Sequence, residues 1–69
     1  VTYLAHAVNV RTETSTAVPC DTAEQAARGL EVLLRADGWP LEKEETVRQL
    51  LAGKTLAHKN FSYRVAEEE

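Results

Sequence analysis

Residues 2–12, TYLAHAVNVRT, alternate with the period of two that a β-strand requires. Leu4, His6, Val8 and Val10 share one face, and Tyr3, Ala5, Ala7, Asn9 and Arg11 the other. The next stretch, TETSTAVPCDT, is rich in Thr and Ser and predicts a turn near Glu13–Ser15 and a second short strand over Thr16–Cys20. Pro19 has no N–H for a ladder, so it confines that strand to a sheet edge or ends it.

The period then lengthens. Over residues 22–37, Ala23, Ala26, Ala27, Leu30, Leu33 and Leu34 form the apolar stripe of an amphipathic helix. Thr22 with Gln25 has capping-box spacing. Glu24, Gln25, Arg28, Glu31 and Arg35 are predicted to face water, with Glu24–Arg28 and Glu31–Arg35 as i, i+4 pairs. Gly29 interrupts this helix and is expected to serve packing. Gly38 supplies a left-handed stop, Pro40 prevents continuation, and Trp39 is placed to fold back on the helix end.

A second helix is predicted from Leu41 or Glu42 to Ala52. Glu42, Glu44 and Glu45 complement the positive end of its dipole, Val47, Leu50 and Leu51 form its buried stripe, and Gly53 is its stop. The final strand is expected over Ala57–Ala66, with Phe61, Tyr63 and Val65 on the core face and Asn60, Ser62 and Arg64 opposite.

The order β-(β)-α-α-β predicts a small α+β domain over residues 1–66, with Glu67, Glu68 and Glu69 as a disordered acidic tail. Two helices would cover one face of a two- or three-stranded antiparallel sheet in which the first and last strands are neighbours. So small a sheet leaves open edges, and a homodimer by strand-edge pairing is one way to close them.

Composition narrows the function classes. The 69 residues allow one core and leave little room for a concave catalytic pocket. His6, His58 and Cys20 lack metal-ligand spacing, and no nucleophile turn surrounds Cys20, so neither a metal site, a cofactor nor a catalytic residue is predicted. A single cysteine fits a reducing compartment, and no apolar run is long enough for a membrane span. Residues 1–12 show no signal-peptide pattern, so the expected location is cytoplasmic.

Charge is unevenly distributed. The net charge is −3, yet Thr46–Ala66 contains Arg48, Lys54, Lys59 and Arg64 and no acid. A basic helix end joined to a basic strand suits a phosphate backbone, and the candidate contacts are Arg48, Lys54, His58, Lys59, Asn60, Ser62 and Arg64. Within it, TVRQLLAGKTLAHKNFSYRV (Thr46–Val65) resembles the modular DNA-binding motifs that accompany homing endonucleases, with a looser echo in DTAEQAARGL. Those motifs follow a short helix ending in Gly-Lys with a basic linker and an aromatic strand. The resemblance implies Lys54, Lys59 and Arg64 as basic contacts and Phe61 and Tyr63 as the aromatic positions; Asn60 stands where the motif usually has glycine.

The expected function is therefore a non-enzymatic regulatory binding protein that contacts nucleic acid through Lys54–Arg64. The alternative is a protein-binding adaptor, or a phage-type inhibitor of a larger host protein. That protein would use its exposed strand edge or a surface formed by Trp39, Glu42, Glu44 and Glu45.

Overall fold

Six elements follow one another in a computed structural model, which describes residues 1–68. They are β1 (Thr2–Asn9), β2 (Thr14–Cys20), α1 (Ala23–Ala36), α2 (Lys43–Leu51), β3 (Leu56–His58) and β4 (Phe61–Glu68). The strands form one antiparallel sheet in the order β2-β1-β4-β3, so the first and last expected strands do lie side by side. β2 is an edge strand with Pro19 inside it.

Two expectations about the C-terminal part are corrected. The segment expected as one strand is a hairpin that reverses at Lys59–Asn60, with Lys59 at φ 55°. The turn was hidden because its left-handed position is a lysine and the alternation of Phe61, Tyr63 and Val65 begins only after it. Glu67 and Glu68 are strand residues paired with Tyr3 and Thr2, not a disordered tail; Glu69 lies outside the described residues.

Both helices lie on one face of the sheet. Ala5 and Ala7 of β1, with Phe61, Tyr63 and Val65 of β4, point toward them. The face carrying the larger Leu4 and Val8 has no helix over it. Ala26 and Ala27 are fully buried on the helix, and Ala5 and Ala7 of β1 pack against the core from the strand side. The core proper is Ala27, Leu30, Leu34, Leu50, Leu56 and Tyr63, with Trp39 and Val47 packed against it.

The helix ends follow their sequence signals. Thr22 Oγ1 accepts from the Gln25 N–H at 3.1 Å, and Gln25 Oε1 accepts from the Asp21 N–H at 3.1 Å. After α1, Gly38 at φ 87° lets its N–H reach Arg35 O (3.2 Å) and the Trp39 N–H reach Leu34 O (3.0 Å), a Schellman closure. Gly53 ends α2 in the same way, with Lys54 N–H on Gln49 O at 3.2 Å.

Four α-helical expectations fail, for tertiary reasons. Leu33 is 52% exposed and Leu51 47% exposed, because Leu33 borders an open groove over β1 and β2, and Leu51 an open cleft shared with Arg28 of α1. Gly29 is not a point of close approach: a Cβ there would meet nothing within 4 Å. Glu31, expected in water, is only 2% exposed.

Candidate partner-binding surfaces

The Schellman turn after α1 presents Asp37 to the β3–β4 hairpin. His58 Nε2 donates to the Asp37 carbonyl at 2.9 Å, and Lys59 Nζ lies 3.3 Å from Asp37 Oδ1. The His58 ring meets Trp39 edge-on, with centroids 5.4 Å apart. Trp39 Nε1 donates to Thr46 Oγ1 (2.9 Å), which donates to the Glu42 carbonyl (2.8 Å). Thus His58, Lys59 and Trp39 join α1, α2 and the hairpin to one another.

The remaining candidate residues are dispersed. Arg48 pairs with Glu45 on α2, beside Glu42 and Glu44. Hydrogen bonding from Gln49 Nε2 (3.0 Å), with the charges of Arg48 and Lys54 nearby, holds the Glu45 carboxyl below its ordinary pKa. Lys54 is exposed just past α2. Asn60 sits in the hairpin turn, its carbonyl accepting from Val10 N–H at 2.8 Å. Ser62 and Arg64 project from the helix-free face, where Arg64 is the cross-strand partner of His6 and Ser62 of Val8. So the structure brings His58 and Lys59 together at Asp37, Arg48 among the acids, and Arg64 to the other side of the sheet.

The aromatic positions point inward. Phe61 and Tyr63 stack with centroids 5.9 Å apart on the helix side. Burial, with the Asp37 charge adding to it, pushes the Tyr63 phenol pKa up.

A different surface lies along β2. Val10 N–H bonds Asn60 O, so the even residues of β1 bond to β4 and the odd ones to β2. Tyr3, Ala5, Ala7 and Asn9 therefore bond to Cys20, Val18, Thr16 and Thr14. Ser15, Ala17 and Pro19 turn their main-chain groups outward, which is the orientation a donorless proline tolerates.

Beside this edge, on the helix side, runs an apolar groove. Ala5, Ala7, Thr16 and Val18 form its floor and Gly29 and Leu33 of α1 its wall. It continues past Leu33 toward Ala36 and Phe61, where Asp37, already paired with Lys59, is the one charged lining residue. Val18 is 53% exposed, as open as Leu33. In the sequence this groove has one signal, a strand, TSTAVPC, without a charge; by helical period Leu33 of its wall belongs with the core.

The chain matches no family model, curated protein or solved structure. Among the described residues no cluster of His, Cys, Asp and Glu is arranged to hold a metal ion. No helix among them is long and apolar enough to cross a membrane.

Proposed function

We propose that this chain is a non-enzymatic protein-binding module that offers the free β2 edge, and the groove beside it, to another protein chain. The observation that supports this reading is an uncharged edge strand bordering an uncovered apolar groove. Sheets usually guard such edges with lysines or inward-pointing charges. Here only Pro19, near one end, interrupts the edge. A strand added there would gain main-chain hydrogen bonds and place alternate side chains over the groove. Lys59 and Arg48 are already paired with acids, which weakens the case for Lys54–Arg64 as a continuous polyanion grip.

A pull-down tests the reading. Tagged chain is incubated with a nuclease-treated extract of the source cells that also contains the untagged chain. The wild type is expected to retain a defined protein, foreign or a second copy, and a folded Val18→Lys variant to lose it. No retained protein, or retention indifferent to Val18→Lys, overturns the proposal.

A second reading, nucleic-acid contact, has one observation in its favour. His6 and Arg64 are cross-strand partners on the helix-free face, beside Ser62. It predicts duplex DNA binding that falls steeply with salt and weakens on Arg64→Ala. Absence of binding at low salt removes it.

A further inference from the structure

The edge and groove specify their occupant more closely. β2 offers outward N–H and C=O groups at Ser15 and Ala17, and its run of donors stops at Pro19. We propose that β2 pairs with β2 of a second copy of this chain, antiparallel about a two-fold axis at Thr16. This rests on the protein-binding reading above and names its partner.

Register favours this arrangement. With Thr16 opposite the second copy's Thr16, Ser15 faces the second copy's Ala17, and the reverse holds by symmetry. Each facing pair exchanges both main-chain bonds. Pro19 then falls opposite Glu13, which lies in the β1–β2 turn outside the strand, so its missing donor forfeits no ladder bond. A two-fold axis at Ala17 would make the same number of bonds but set the Pro19 ring against Ser15 at each end, leaving the Ser15 carbonyl facing a ring with no donor. The available donors are those that a short isologous pair uses fully.

Side chains agree with the backbone. On the helix side the pairing sets Thr16 against Thr16 and Val18 against Thr14, with no charge among them. The two Glu13 residues lie at opposite ends of the ladder. Both grooves open on the same face, so they meet above the paired strands and Val18 and Leu33 of each chain are covered in one event. The isolated chain has reason to need this. Two of the seven buried apolar residues among those described are alanines, a thin core for a domain this small.

Sedimentation velocity over a concentration series, with three variants, tests the pairing. The wild type is expected to dimerise reversibly. Ala17→Pro removes an N–H that makes no bond within the chain, at an edge-strand position that tolerates proline, so it should keep the wild-type circular dichroism while weakening the dimer by about tenfold or more. In a Cys20→Ser background, Thr16→Cys should form an interchain disulfide on mild oxidation, because Cα atoms of such a facing pair lie about 4.5 Å apart. Ser15→Cys in the same background should not. A wild type that sediments as a single chain at every concentration overturns the inference. So does a dimer that survives Ala17→Pro while Thr16→Cys fails to cross-link. If the single chain still retains a foreign protein that Val18→Lys loses, the protein-binding reading stands and only the second copy is removed.

Discussion

His58 donates from Nε2 to the carbonyl of Asp37 at 2.9 Å, joining the β3–β4 hairpin to the end of α1 across 21 residues of chain. The carbonyl can only accept, so the bond places a proton on Nε2. The same ring meets Trp39, whose indole N–H is bonded to Thr46 of α2. A helix end, a hairpin and a second helix thus share one junction.

Replacing His58 with Ala should cost about 1–2 kcal/mol, from the lost hydrogen bond and the lost aromatic contact. Urea denaturation measures this directly. A change within about 0.5 kcal/mol, the range of neutral surface substitutions, would show that the junction adds nothing.

Tyr63 makes stability depend on alkaline pH. Its phenol pKa is raised in the folded chain by burial and by Asp37, so folding favours the neutral form. That contribution is complete below the unfolded value of about 10 and is lost as pH rises through the folded-state value. Thermal midpoints should therefore fall more steeply above about pH 10 in the wild type than in Tyr63→Phe. Parallel curves would contradict the assignment.

Gly29→Ala should stabilise the single chain by about 0.5–1 kcal/mol, the helix-propensity gain at an interior position. The added methyl meets nothing within 4 Å, so no clash offsets that gain. Destabilisation measured on the dimer-blocked Ala17→Pro background would mean that the groove is more tightly closed than the structure has it.

Glu31 is 2% exposed, and its Oε2 is the one buried side-chain oxygen or nitrogen without a hydrogen-bond partner among the described residues. Its Oε1 lies 3.5 Å from Arg35 Nε, and the Arg35 side chain is mostly in water. Such a pair compensates poorly for removing a carboxylate from solvent. Glu31→Gln keeps the shape and removes the charge, and should raise stability by about 0.5–1 kcal/mol. A loss of that size in chemical denaturation would show instead that the charge is compensated by its surroundings.

Much of the architecture was legible from residues 2–68 because its signals are local. The Thr22–Gln25 cap, the Gly38 and Gly53 stops and the alternation of β1 and β4 each depend on neighbours a few positions away. The predicted neighbourhood of the first and last strands followed from packing two helices on one side of a sheet.

The candidate surfaces were much less legible. Lys54, Lys59 and Arg64 are close in sequence, yet the reversal at Lys59 and the alternation of β4 send Lys59 to Asp37 and Arg64 to the helix-free face. Nothing within a few residues of Asp37 announces His58 and Lys59 as its partners.

By itself, then, the sequence determined both helices, their glycine stops and the two sides of β1 and β4, since period and capping are short-range properties of the backbone. It did not show the reversal at Lys59 that splits β3 from β4. Only the tertiary structure decided which side the helices cover. It put Ala5 and Ala7 under the helices and left Leu4 and Val8 on the helix-free face, because Ala5 and Ala7 lie beside Tyr63 and Val65, whose side chains build the core. That choice leaves Leu33 and Val18 beside an open edge, and it turns an apolar stripe into a groove. Which surface stays uncovered depends on where whole elements pack, a long-range outcome that no window of the chain contains.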